Sequence, residues 1–263
     1  MNPLHYQLAP SLKQAQEALN RDPEARLLAG GMTLIPALKH RLSAPSQLVD
    51  ISRLADLRRI DVNPGHVWVG AGIRHAEVAS SAALAQAIPG LARLAGGIGD
   101  PQVRARGTLG GSIANNDPAA DYPAALVALK AVVVTQQREL AAEDFFTGMF
   151  TTALLADEII TGVKFAIPKR SAYAKFRHPA SGFAMTGVYV AEFDGGADGE
   201  KRVAVTGAAS SVCHWPAAEA AWKSGLRTAV FNHPELLSDI HAPAAYRAQL
   251  ATLMFEQALQ SLA

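Results

Sequence analysis

The chain has 263 residues, 49% of them hydrophobic and 18% charged, with 21 Gly and 15 Pro. That composition suits a compact, turn-rich protein of one large or two to three small domains and excludes a disordered or fibrous chain. Lys and Arg total 24 against 23 Asp and Glu, which leaves no charge excess to condense onto nucleic acid or an anionic membrane. The single cysteine, Cys213, excludes an intramolecular disulfide, an iron–sulfur cluster and a thiolate zinc site within these residues. No apolar run reaches the roughly 18 to 20 residues of a membrane span, and Met1 to Asn20 lacks the order of a signal peptide, so a cytoplasmic location is expected.

Ser11, three residues before Gln14, reads as an N-cap with a capping box, and Leu12, Ala15, Ala18 and Leu19 recur at helical spacing. Arg26 to Ala29 is a short strand that ends at Gly30-Gly31. Thr33 can then cap a helix through Leu34 to Arg41, with Pro36 tolerated in its first turn. Gln47 to Ile51 and His66 to Gly72 read as strands, and Ala76 to Leu94 as helix interrupted at Pro89-Gly90. Pro123 to Lys130 is a helix with Asp121 available as its cap, and Ala131 to Thr135 a buried strand. A boundary is expected near Ile167 to Lys169. Beyond it Tyr173 to Phe176, Phe183 to Phe193 and Arg202 to Ala208 read as antiparallel strands, with a loop at Asp194 to Gly199. Two helical stretches close the chain, the last placing Tyr246, Leu250, Leu253, Met254 and Leu262 on one face behind the start signals Asp239 and Pro243.

Glycines just before a helix let an anion approach unpaired backbone N–H groups at the positive end of a helix dipole. Two segments qualify, Ala29-Gly30-Gly31-Met32-Thr33 and Thr108-Leu109-Gly110-Gly111-Ser112, each with a flanking hydroxyl. Either alone reads first as a tight turn that uses Gly for φ > 0; two in one chain could share a pyrophosphate. Gly97-Ile98-Gly99 is followed by Gln102 instead of a third glycine, and Pro101 is expected to interrupt a helix there, so a Rossmann fingerprint is absent. P-loop, nucleophile-elbow and zincin motifs are absent as well, and Asp194 to Glu200 lacks the ligand series of an EF-hand. Arg104 and Arg106 read as a solvated pair or as anion-steering side chains; Asp117 and Asp121 as helix caps or as acceptors for a ribose or ribityl hydroxyl.

Taken together, Ala29 to Thr33, Asp100 to Ser112 and Asp117 to Pro123 resemble the FAD-binding medium subunit of molybdenum hydroxylases, the group of carbon monoxide, xanthine and aldehyde dehydrogenases. Gly70 to Gly72 with His75-Ala76, Glu143 to Gly148, Tyr173 to Phe176 and Asp239 to Arg247 fit the same family in order and spacing. The resemblance implies an α+β fold: a two-lobed vanillyl-alcohol-oxidase-type FAD-binding domain over residues 1–168, with lobes of about 1–55 and 56–168. A small α+β domain with an antiparallel sheet and helices follows over 169–263. It implies that Leu28, Ala29, Gly30, Gly31, Met32, Thr33 and Leu34, together with Thr108, Leu109, Gly110, Gly111 and Ser112, hold the diphosphate and ribityl chain. It further implies that Ile98 makes an apolar contact to the cofactor, that Asn115 approaches the ring system, that Asp121 binds ribityl or ribose hydroxyls, and that Lys175 lies near the flavin. Met32-Thr33 departs from the commoner pair of a polar residue followed by Ser.

FAD passes electrons singly or in pairs, so a flavin chain without metal ligands suits an output module. By resemblance, molybdopterin belongs to a large partner subunit and two [2Fe-2S] clusters to a small one, in a dimer of heterotrimers, and no catalytic acid or base is expected in this chain. Two other readings stand beside this one: a stand-alone flavin oxidase or dehydrogenase, and a scaffold that keeps the fold without the flavin.

Overall fold

The computed structural model describes residues 4–195 and 199–262. In chain order the elements of the first half begin with β1 (His5–Leu8), α1 (Leu12–Arg21), β2 (Arg26–Leu28), α2 (Leu34–Lys39) and β3 (Gln47–Asp50). Then come β4 (Ile60–Asn63), β5 (His66–Gly70), α3 (His75–Ser80), α4 (Ala82–Ala87), α5 (Pro89–Gly96), α6 (Pro101–Arg106), α7 (Leu109–Asn115) and α8 (Tyr122–Ala128). After these follow β6 (Val132–Thr135), β7 (Glu139–Ala141), α9 (Ala142–Phe145), β8 (Phe146–Gly148), β9 (Thr151–Thr152) and β10 (Ile160–Ala166). The remainder is β11 (Arg170–Arg177), β12 (Ala184–Phe193), β13 (Glu200–Thr206), β14 (Cys213–His214), α10 (Pro216–Lys223) and α11 (Ala244–Gln260).

Three main sheets result. The first is parallel with order β1-β3-β2, the second antiparallel with order β4-β5-β10-β6-β7, and the third antiparallel with order β11-β12-β13-β14. Strands β1 and β4 carry no strand signal of their own. His5–Leu8 is largely exposed and lacks apolar alternation, and it is a strand because it pairs in register with Gln47–Asp50.

Local chemistry sets most of the ends. The Ser11 hydroxyl accepts from the Gln14 amide at 3.2 Å, so the expected cap of α1 is present, without the reciprocal half of a capping box. The long helical stretch is three helices, because Ser81 caps a new start and Pro89 opens another at its first position. Pro101 does not interrupt a helix but begins one: Asp100 accepts from the Val103 amide at 2.7 Å, and a first-turn proline loses no hydrogen bond. The loop expected at Asp194 to Gly199 includes residues 196–198, which lie outside the described residues.

The third sheet is buried on both faces, and its alternation divides two cores. Tyr189, Ala191, Phe193 and Ala204 join the large core built around the second sheet and the helices from α3 to α8. Val188, Val190, Val203 and Val205 point the other way, into a core with α10 and α11. Contact with α5 is close enough that a Cβ on Gly90 would sit 2.7 Å from both Ser171 Oγ and Tyr189 Oη. In α11 the buried face is Arg247, Leu250, Ala251, Met254, Phe255 and Ala258, whereas Tyr246 and Leu253 are exposed. Arg247 is admitted to that face because it donates to the Met185 and Gly207 carbonyls at 2.7 and 2.8 Å and pairs with Asp239.

Within the second sheet's layer Glu158 is buried and accepts from Arg138 Nε and Nη2 at 2.9 Å each, from Thr135 Oγ1 at 2.7 Å and from the Leu155 amide at 2.9 Å. The Arg138 fork holds its carboxyl at about 2, against the upward pull of burial. A carboxylate depressed in the folded state contributes stability above its unfolded value, near 4.5, and that contribution is lost as pH falls toward 2. Thermal melts of Glu158→Gln are therefore expected to show lower stability than wild type at pH 7 and a shallower loss over this acid range.

Candidate functional site

Strand β2 is an edge of the parallel sheet and leads straight into the first glycine segment. A Cβ on Gly30 would lie 2.2 Å from the Arg106 carbonyl oxygen and 2.8 Å from Gly107 Cα, so backbone rests on backbone there and only glycine fits. Gly31 follows at φ +74°, the left-handed region. The amides of Ala29 through Leu34 have no acceptor among the described residues. Thr33 occupies the N-cap position of α2, but in helical geometry and with no side-chain cap bond, so its hydroxyl is not spent on the helix as expected. Both Met32 and Thr33 are exposed.

The Gly30 contact places this open segment against the turn that enters the second one. There Thr108 caps α7, its Oγ1 accepting from the Gly111 amide at 3.1 Å. The Leu109, Gly110 and Ser112 amides donate to the Ile73, Ala71 and Thr108 carbonyls at 3.0, 2.9 and 3.0 Å. The two segments are thus not equivalent: the first presents free donors, and the second has satisfied its own. Neither Gly110 nor Gly111 has a positive φ. Gly110 is buried, and a Cβ on it would meet Ala71 Cβ at 2.7 Å and Ala71 O at 2.9 Å; Gly111 is exposed, and a Cβ there would meet only Thr108 Oγ1, at 3.0 Å. Behind the turn, His75 is buried with its ring against Gly107 and its amide donating to the Gly107 carbonyl at 2.9 Å; burial, reinforced by Arg104, pushes its imidazole down to about 4 and keeps it neutral.

Ile98 is half-buried, packed on the large core, in a turn that Arg104 closes by donating to the Ile98 and Gly99 carbonyls at 2.9 and 3.3 Å. Arg104 is therefore part of that turn, and of the pair only Arg106 is exposed. Asn115 is half-buried at the end of α7. Its neighbour Asn116, in left-handed geometry, is the buried one and donates to the Gly148 and Thr151 carbonyls at 2.8 and 2.7 Å.

The remaining residues come from the junction with the third sheet. Asp117 accepts from the Ala119 amide at 2.9 Å, forming a turn. Asp121 stands at the N-cap position of α8 but makes no cap bond. Instead its buried carboxylate accepts from Tyr173 Oη at 2.7 Å and pairs with Lys175 Nζ at 2.8 Å. Lys175 also donates to the Gly182 carbonyl at 3.0 Å. Burial pushes both the Asp117 and Asp121 carboxyls upward; at Asp121 Lys175 and Tyr173 oppose it. Thr206 Oγ1 donates to the Pro118 and Ala120 carbonyls, and the Gly207 amide to Pro118, so the third sheet clamps the 117–121 segment. Tyr173 is not singled out as a site residue in the sequence; its spacing from Lys175, two apart and hence on one face of a strand, is the signal that points to it.

The free amides, the left-handed Gly31 and the Cβ-free edge at Gly111 fit a dinucleotide diphosphate, which takes hydrogen bonds from backbone N–H groups at close range. The family described as FAD binding domain in molybdopterin dehydrogenase matches residues 2–169. The chain belongs to that family. The nicotine 6-hydroxylase medium subunit of Paenarthrobacter nicotinovorans is 32% identical over 93% of this chain and 92% of its own length. Carbon monoxide dehydrogenase from Hydrogenophaga pseudoflava superposes with a TM-score of 0.89 at 31% identity, covering 99% of this chain and 98% of that one. Quinoline 2-oxidoreductase from Pseudomonas putida 86 superposes with a TM-score of 0.88 at 27% identity, over 98% and 96% of the two chains. The expected fold is the one observed: an FAD-binding α+β domain of the vanillyl-alcohol-oxidase type, followed by a separate antiparallel sheet with helices. This flavoprotein chain is an FAD-binding component of an oxidoreductase. Among the described residues no cluster of three or more His, Cys, Asp or Glu could hold a metal ion, and no helix is long and apolar enough to cross a membrane.

The glycine geometry separates packing from binding. Gly110→Val is expected to destabilise the flavoprotein by about 2 kcal/mol or more, since the clash is with Ala71 backbone. Gly111→Val should leave the thermal midpoint within a few degrees of wild type yet abolish retention of FAD through gel filtration.

Proposed function

We propose that the flavoprotein chain is the electron-transfer subunit of a molybdenum hydroxylase complex. In this reading it takes electrons from [2Fe-2S] clusters of a small partner subunit, while molybdopterin in a large partner subunit oxidises the substrate, and it passes them to a terminal acceptor. The assembly is a dimer of heterotrimers. What carries the reading is the run of unpaired amides from Ala29 to Leu34, held by the Gly30 contact against the start of α7. Relatives named as a nicotine 6-hydroxylase medium subunit and a carbon monoxide dehydrogenase medium chain, similar along most of their length, support it.

Bound FAD supplies reversible redox chemistry in one- or two-electron steps. The chain's residues bind and orient it. The amides of Ala29, Gly30, Gly31, Met32, Thr33 and Leu34 would hold the diphosphate, with Gly111 allowing close approach and the Thr33 and Ser112 hydroxyls adding donors. Leu28, Thr108, Leu109 and Gly110 act by fixing the shape of the two segments. Ile98 would give an apolar contact, Asn115 would approach the ring system, Asp121 would accept from a ribityl or ribose hydroxyl, and Lys175 would place a positive charge beside the flavin. We divide the chain at residue 168. The parallel sheet lies in a first lobe of about 1–55, the five-stranded sheet in a second of about 56–168, and the third sheet with α10 and α11 in 169–263.

The purified chain should bind one FAD non-covalently and release the yellow colour on acid precipitation. Alone it should not oxidise the substrate of the complex, and flavin bleaching should require the [2Fe-2S] subunit. A colourless chain would favour the scaffold reading, and bleaching of the isolated chain by a small organic substrate at a comparable rate would favour the stand-alone flavoenzyme.

A further inference from the structure

Tyr173 and Lys175 leave the same face of β11 and end on one carboxylate. Tyr173 Oη lies 2.7 Å from Asp121 Oδ1, and Lys175 Nζ lies 2.8 Å from Oδ1 and 3.1 Å from Oδ2. The phenol ring is stacked on Tyr189, its cross-strand partner, with centroids 6.1 Å apart. To reach Asp121 it passes over Gly187 of β12, where a Cβ would lie 2.2 Å from Oη and 2.9 Å from Cζ. Glycine weakens a strand interior. Gly187 sits within a ten-residue strand and has no positive φ to call for it, so the room it leaves is what the phenol uses. Two positions are thus committed to delivering one hydroxyl to one buried carboxylate.

An ammonium is a rotatable point charge, satisfied at many places along a carboxylate edge. A phenol held by stacking donates in one direction. We propose that Tyr173 is a positioning residue for the cofactor: its hydroxyl fixes the plane of the Asp121 carboxylate, so that the lone pair left over by Tyr173 and Lys175 meets a hydroxyl of the FAD ribityl or ribose. This role rests on the reading of Asp121 as an FAD contact. Burial and the Asp121 charge raise the Tyr173 hydroxyl well above its ordinary value, so it remains a donor at every working pH.

Tyr173→Phe keeps the ring and removes the donor. FAD binding to the full chain stripped of flavin, followed by fluorescence quenching, should weaken about ten- to hundred-fold, the usual effect of one hydrogen bond to a charged group. In an Asp121→Asn background the same change should add nothing. Removing a donor from the charged form raises a carboxyl's pKa, so Tyr173→Phe should lose further affinity relative to wild type as pH falls from about 8 to about 5.5, and Asp121→Asn should not. The other charged or titratable groups around the carboxylate are Lys175 and Arg177 on β11, Asp117 and Tyr122 on its own segment, and His75 across Tyr122. All are common to these variants, so the difference reports Asp121. Gly187→Ala, which displaces the hydroxyl without removing it, should reproduce the loss, and read in the same two backgrounds it decides the matter if Tyr173→Phe does not fold. Wild-type affinity in both Tyr173→Phe and Gly187→Ala beside a weakened Asp121→Asn would overturn the role of Tyr173 alone, as would an equal loss in both backgrounds. Wild-type affinity in Asp121→Asn would remove Asp121 from the FAD site and the positioning role with it.

Discussion

The backbone contact between Gly30 and the Arg106–Gly107 turn holds the rest of the site in place. The first glycine segment hangs from the edge of a three-stranded parallel sheet too small to bury a core alone, and the second opens a helix in a different layer. Nothing in the covalent chain fixes their separation across the intervening 77 residues or so, and a side chain at position 30 would force them apart. Because the join is backbone on backbone, the free amides of Ala29 to Leu34 keep one orientation toward α7. His75 supports the far side of the same turn as a neutral, buried ring, and so adds no charge to it at neutral pH.

The third sheet closes the site from the other side. Its contribution is less a binding surface than a set of hydrogen bonds to the Asp117–Asp121 segment, from Thr206, Gly207, Tyr173 and Lys175. Thr206 and Gly207 reach backbone carbonyls, which side-chain identity does not reveal. The burial of Asp121 in this clamp explains why a residue placed to cap α8 serves the neighbouring sheet instead: a carboxylate removed from water gains more from an ammonium and a phenol than from a helix amide.

Much of the fold was legible where one local signal acted alone. Ser11 accepts from the amide three residues on, as its residue type dictates, and the apolar runs of β12 and β13 read directly as strands; Asp100 and Thr108 make the same cap bond at α6 and α7, where the sequence reads as an interrupted helix and as an anion-binding hydroxyl. The misses have a common cause. β1 and β4 exist through pairing with distant strands, and α11 turns a face with Arg247 inward because carbonyls from β12 and the end of β13 wait for it. Within the site, the glycine segments and the aspartates were visible as residues of the right type. Sequence could not reveal that the second segment's amides are consumed by Ala71 and Ile73, or that Gly110 is glycine for packing and Gly111 is not, because both depend on what folds against them.

Helix α8 is buried along its entire length, Tyr122 to Ala128, and β12 and β13, the latter ending at Thr206, supply part of that cover. During synthesis the flavin-binding half therefore leaves the ribosome with this apolar helix covered only by neighbours such as α5, α7 and α9, and its remaining side stays open while some 80 further residues are made. Translation rate across residues 130–206, and the chaperones that guard hydrophobic segments in that interval, become part of how much of this flavoprotein reaches its partners.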